Sequence, residues 1–175
     1  MDGFEPIYRI DGIEESNSSY GSIGYIKNSL KTYVNTFHQK RLYSKTESYC
    51  VEIVGLHVSR KSTNVAIVVV YKFPKCKINI FLDLMQEAIL KTEKLVSTDN
   101  VFMVGNFIEN YFVQNSDNET LCKFMREHKF TMSNKIKAST NNQSSLDMCF
   151  SKKKPYNCQL TESVISDHKP LWFSL

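Results

Sequence analysis

The segment Val65-Ala66-Ile67-Val68-Val69-Val70-Tyr71 is apolar at every position before its tyrosine and largely β-branched. A strand with one wet face alternates apolar and polar residues, so a run apolar at both parities marks a central strand covered on both sides. Just upstream, residues 49–58 place Val51, Ile53, Gly55 and His57 on one side and Cys50, Val54, Leu56 and Val58 on the other. Only the polar break Ser59-Arg60-Lys61-Ser62-Thr63-Asn64 separates the two runs, which are expected to pair as a hairpin.

After Pro74 the period changes. Phe81, Met85, Ala88, Ile89 and Thr92 recur at helical spacing and predict a helix over 78–95. Residues 101–104 form another apolar run, ending at Gly105. Ser116-x-x-Glu119 matches a capping box, followed by Leu121, Phe124, Met125 and His128 on one helical face. Segments 22–26, 31–38, 130–138, 146–150, 159–165 and 171–175 read as strands, and residues 1–19 as an N-terminal arm or lead-in strand. The expected fold class is α/β, a two-sheet sandwich with a mixed sheet and outer helices, in one domain spanning 1–175.

Composition narrows the function classes. With 42% hydrophobic and 23% charged residues, the chain is neither disordered nor collagen-like. No apolar run approaches the roughly 20 residues of a membrane span, and Met1–Pro6 has neither the basic start nor the apolar stretch of a signal peptide. An intracellular location is expected, cytoplasmic or nuclear. The five cysteines, at 50, 76, 122, 149 and 158, are widely spaced without a CxxC pair and fit a reducing compartment better than a zinc site. A net charge of +4 permits contact with nucleic acid without requiring it.

The residues that can carry chemistry fall late in the chain. Ser166-Asp167-His168 follows an apolar strand, and an Asp and a His presented together can hold a metal-bound water and polarise a phosphate. Upstream lie Asp147, a carboxylate entering an apolar strand, Gly105-Asn106-Phe107 at the end of a buried run, and Tyr71-Lys72-Phe73-Pro74. Lys152-Lys153-Lys154 is the one charge run, and Arg60-Lys61 is a second basic pair; each is either a solvated loop or a contact to a phosphate backbone. His57 reads as structural, His128 as a helix-end residue, and His38 as a strand end running into solvent.

Tyr-x-x-Pro after a buried strand, then helix, then strand-Gly-polar-Phe, then Leu-Asp, then Ser-Asp-His resembles the endonuclease/exonuclease/phosphatase superfamily, and in particular the apurinic-type endonuclease domains of mobile elements. Ser19–Lys27 is similar to that family's Gly-Gly-x-x-Ile-Tyr strand. The resemblance implies Mg²⁺-dependent cleavage of phosphate esters. It casts His168 against the scissile phosphate, Asp147 as the group orienting that imidazole, Asp167 on the metal or its water, and Tyr71 on the phosphate.

The departures are chemical. Asn106 stands where the family has an Asp, and an amide is neither a base nor an anionic ligand. Ile108 replaces an amide that bonds the phosphate. The family's opening strands, with their Asn and metal-binding Glu, have no counterpart here, so the chain reads as shortened at its N-terminus.

The expectation is therefore a nuclease-derived binding or effector protein with weak or no catalysis and a degenerate site. Its partner would be nucleic acid, or a protein or second copy docked on surface that truncation exposes. The alternatives are an active Mg²⁺-dependent DNA endonuclease with substitute ligands, for which Glu109, Glu5, Glu14 and Glu15 are candidate acids, and a small toxin or host-interference factor on the same scaffold.

Overall fold

In the computed structural model the described residues are 3–10, 22–44, 49–97, 99–107, 115–133, 146–153, 157–160 and 171–174. They form ten strands and two α-helices. In chain order these are β1 (Phe4–Ile10), β2 (Ser22–Lys27), a short 3-10 helix (Asn28–Tyr33), β3 (Val34–Ser44), β4 (Tyr49–Arg60), β5 (Thr63–Lys72), α1 (Ile78–Thr92), β6 (Val101–Asn106), α2 (Ser116–Glu127), β7 (Thr131–Met132), β8 (Asp147–Ser151), β9 (Asn157–Leu160) and β10 (Leu171–Ser174). Six strands make a mixed sheet in the order β3-β4-β5-β6-β8-β7, in which β5 and β6 run parallel and the other neighbours antiparallel. β1 pairs with β2, and β9 with β10, as two antiparallel ribbons.

The central strand predicted from its doubly apolar run is β5. Ala66, Val68 and Val70 join Val51, Ile53, Met103, Met148 and Phe150 in the main core beneath α1 and α2, which contribute Phe81, Met85, Ala88, Ile89, Leu121 and Met125. On the opposite face Val65, Phe102 and Cys149 form a second cluster, against which Cys158 of β9 packs. The β1–β2 ribbon reaches β3 through Gln39, whose amide donates to the Arg9 carbonyl at 3.4 Å. The helix-side face of β5 is thus buried from Ala66 onward, while the other is buried at Val65 and half-buried at Ile67, Val69 and Tyr71.

The structure departs from local expectation at several points. The stretch read as a strand from 31 begins as a 3-10 helix; the extended run starts at Val34. α1 ends at Thr92, whose hydroxyl turns back to the Ala88 and Ile89 carbonyls. α2 is capped by Asn115 rather than Ser116: the Asn115 Oδ1 accepts from the Asn118 N–H at 2.8 Å, and Ser116 is already helical.

His38 differs most from expectation. It sits within β3 and is 5% exposed, facing α1, where Lys91 Nζ donates to its Nδ1 at 3.0 Å. Lysine has only donors, so Nδ1 is the acceptor and the imidazole proton rides on Nε2. Glu87 bonds both Lys91 and Lys40 at 3.0 Å and completes the cluster.

Burial, then the charge of Lys91, lower the His38 pKa; Glu87 acts against this and Lys40 with it. The unfolded chain therefore takes up a proton as pH falls below 6.5, where the folded chain does not. Stability is full above that pH and declines beneath it until the folded-state pKa is reached. Glu87, held down to about 2 by its two lysines, stays charged in the folded chain and adds a slope of its own as pH nears the 4.5 of an ordinary glutamate, where the unfolded chain begins to protonate it. Urea unfolding of the wild type between pH 5 and 7 is expected to show this decline, and His38→Gln to flatten it. An unchanged slope in the variant would assign the dependence elsewhere.

Candidate functional site

The register of the large sheet lines up the predicted residues. Tyr71 of β5 pairs with Asn106 of β6, and Asn106 pairs with Asp147 of β8. Extended the other way, Tyr71 pairs with Glu52 of β4, and Glu52 with Arg41 of β3. Directly paired residues project to the same face, so Arg41, Glu52, Tyr71, Asn106 and Asp147 form one row across five strands. Their parity is that of Val65, Phe102 and Cys149, which puts the row on the face away from the helices. It runs along the end where the parallel strands β5 and β6 terminate, where open α/β sheets present their ligand sites.

Gly105 lets β6 end in this way. Its φ is +138°, and a Cβ there would drive into the Val70 carbonyl oxygen of the neighbouring strand. Past Asn106 the chain is pinned by Phe107, fully buried, with edge-on ring contacts to Phe81 at 5.9 Å and Phe150 at 5.3 Å. The Phe107 N–H donates to the Leu146 carbonyl at 2.9 Å, joining the end of β6 to the residue before Asp147. Asn106 is thus held between a backbone contact on one side and an aromatic anchor on the other.

Glu52 was not among the residues picked out from the sequence. It is 1% exposed, and the Arg41 guanidinium reaches its Oε1 at 3.5 Å. Tyr8 of β1 lies close enough that, after burial, the Glu52 charge is what raises the phenol's pKa. The signal was there to find: Glu52 shares its side of the strand with Val54, Leu56 and Val58. A lone acid on an apolar strand face has to be paired when it is buried.

Among the described residues the row offers a single carboxylate, Asp147, to Mg²⁺, the ion that the family resemblance implies. Mg²⁺ prefers near-octahedral oxygen ligation and is usually anchored through one or two carboxylates. At this end Asp147 supplies one carboxylate and Asn106 a neutral amide. Glu52 is three strands from Asp147, roughly 14 Å at the usual strand spacing, and is engaged by Arg41. Among the described residues no group of three or more His, Cys, Asp or Glu is placed to hold a metal. Asp167, His168, Ile108, Glu109, Glu14 and Glu15 lie outside the described residues, and Glu5 bonds Lys31 at the β1–β2 ribbon.

The predicted basic residues gather at the other end of the sheet. Arg60 closes β4 and Lys61 occupies the tight turn into β5 with φ +52°; along β5 this turn is about eight residues from Tyr71, roughly 26 Å. Arg60 stacks over the Tyr33 ring at 5.1 Å. Lys152 follows β8 at the same end. Its side chain is 6% exposed, bonds Glu93 at 2.8 Å and lies over the Phe130 ring, so it serves packing. Lys153 is exposed, and Lys154 lies outside the described residues. His57 also sits near the turn, 2.6 Å from the Asn64 Oδ1, while His128 caps α2 with its ring against Phe124 at 4.6 Å.

No sequence-family model matches the chain, and no curated protein matches it. Solved structures do. The endonuclease domain of TRAS1, a telomere-specific non-LTR retrotransposon, superposes with a TM-score of 0.68 at 13% identity, over 99% of this chain and 78% of that one. The human nocturnin catalytic domain gives 0.60 at 13% identity, over 98% and 73%. An endonuclease/exonuclease/phosphatase family protein from Leptotrichia buccalis gives 0.61 at 10% identity, over 100% and 72%. A mixed six-stranded sheet with helices on one face, smaller strand pairs outside it and these superpositions together give the chain the endonuclease/exonuclease/phosphatase fold.

Proposed function

We propose that this chain is a nuclease-derived binding protein that contacts nucleic acid and cleaves it weakly or not at all. The observation that carries the reading is Asn106, an amide fixed in the row between Tyr71 and Asp147. A carboxylate there could orient a nucleophile or bind a cation; an amide accepts and donates hydrogen bonds but does neither of those as an anion. The separation of the basic turn at Arg60-Lys61 from the row supports the same reading, because contact and chemistry then use different ends of the sheet. No helix among the described residues is long and apolar enough to cross a membrane.

The test is nicking of supercoiled plasmid with Mg²⁺ or Mn²⁺, beside a DNA-binding titration across a salt series. The expected result is no metal-dependent nicking, with binding that weakens as salt rises and weakens further in Arg60→Ala/Lys61→Ala. Metal-dependent nicking that disappears in His168→Ala would overturn the proposal in favour of an active endonuclease with substitute ligands. Absence of both nicking and DNA binding would move the partner from nucleic acid to protein, and light scattering would then ask whether that partner is a second copy.

A further inference from the structure

Two cysteines from different layers meet where the layers join. Cys149 lies in the middle of β8, fully buried on the face away from the helices. Cys158 of β9 packs half-buried against the cluster that Cys149 forms with Val65 and Phe102. The two thiols are hydrogen-bonded to each other. The Ser133 hydroxyl also bonds the Cys149 sulfur, and Ser133 Oγ is 2.6 Å from Ser151 Oγ. A short polar chain, Ser151–Ser133–Cys149–Cys158, thus crosses an otherwise apolar junction, and the proposed binding function uses none of it.

We propose that Cys149 and Cys158 are a redox-convertible pair that reacts with a low-molecular-weight disulfide such as oxidised glutathione and closes as a cross-link between the six-stranded sheet and the β9–β10 ribbon.

The environment sets the order of events. Burial pushes the Cys149 thiol up to about 12; the Cys158 charge adds to this and the Ser133 hydrogen bond opposes it. Burial also raises Cys158, but there the Cys149 hydrogen bond works in the opposite direction. The half-exposed Cys158 is therefore the thiol that attacks first, as its thiolate. Its sulfur bonds to one glutathione sulfur, and the other leaves as a thiolate that takes up the Cys158 proton. Cys149, its thiolate favoured by Ser133, then attacks the Cys158 sulfur and expels the second glutathione, which takes the Cys149 proton. Two protein S–H bonds and one reagent S–S bond are exchanged for one protein S–S bond and two reagent S–H bonds. With both thiols raised, the reaction is slow at neutral pH and quickens as pH rises.

The cross-link reaches toward the candidate site. Cys149 is on the same side of β8 as Asp147, two positions along, and residues 161–170, which include Asp167 and His168, join β9 to β10 in the sequence. Closing the bond ties that ribbon to the strand carrying Asp147.

The experiment treats the folded chain with oxidised glutathione at about pH 8.5, near an ordinary thiol pKa, then counts thiols after denaturation and maps disulfides by mass spectrometry. The expected result is a fall from five thiols to three, with one intramolecular link joining the peptides that carry Cys149 and Cys158. The midpoint of thermal unfolding should rise by roughly 5–10 °C for a loop this short and a chain this long, and dithiothreitol should reverse it. Cys158→Ala should abolish the link, while Cys76→Ala/Cys122→Ala, which preserves the pair, should form it as the wild type does. The proposal fails if five thiols survive exposure that oxidises the unfolded chain, if the link maps to another pair, or if glutathione stays on Cys158 as a stable mixed disulfide. The second variant keeps the test decisive should Cys158→Ala fold poorly.

Discussion

Replacing Gly105 with alanine is expected to lower stability by roughly 3–4 kcal/mol, a large share of the 5–15 kcal/mol typical of a whole domain. Two effects combine. The φ of +138° lies in a region that residues with a Cβ rarely adopt. The added methyl would also collide with the Val70 carbonyl oxygen, part of the backbone of the central strand. A flexible side chain could turn aside; a backbone carbonyl in a ladder cannot move without breaking its own pairing. Gly3, with φ +84° but nothing within 4 Å of where a Cβ would stand, provides the comparison. Gly3→Ala should lose only the conformational part, about 1 kcal/mol. Urea unfolding of both variants separates the terms, and equal losses would show that the approach to Val70 contributes nothing.

The same contact explains why this part of the site could be read from the sequence. A buried run that ends in Gly-polar-Phe states the positions of a close approach, a presented side chain and an anchor, and Gly105, Asn106 and Phe107 fill those three roles. Strands β4, β5 and β6 and helix α1 were equally legible, because each buries a face long enough for its period to show. His38 was not, since one imidazole among charged neighbours looks solvated until α1 is laid across β3 and brings Lys91 to it. The partner of Lys152 was hidden for the same reason: a lysine in a basic run gives no sign of the Glu93 that it bonds. The basic turn and the row could each be picked out, but their placement at opposite ends of one sheet depends on strand direction, which composition does not record. For Glu52 the apolar side of its strand was legible but its partner was not, because Arg41 comes from the next strand and cross-strand pairing is a property of register.

Arg41→Met is expected to destabilise the protein by about 3 kcal/mol, at the lower end for a broken buried ion pair because Arg41 keeps some solvent contact. The loss arises from what is left behind. Glu52 is 1% exposed, and its charge then stays buried without the guanidinium that faces it. Glu52→Leu in the same chain should recover most of the loss, since a hydrophobic replacement of similar volume removes the charge along with the need to balance it. The recovery separates an electrostatic role from a packing one: if Arg41 mattered through its aliphatic stem, the double variant would be at least as unstable as Arg41→Met. The functional consequence follows from the row. Glu52 sits beside Tyr71, which neighbours Asn106 and then Asp147. If the Arg41–Glu52 pair only secures the edge of the sheet, the double variant should bind DNA with the same affinity and salt dependence as the wild type. A loss of binding in a stable double variant would instead place Glu52 and Arg41 within the contact surface and extend the candidate site along the whole row.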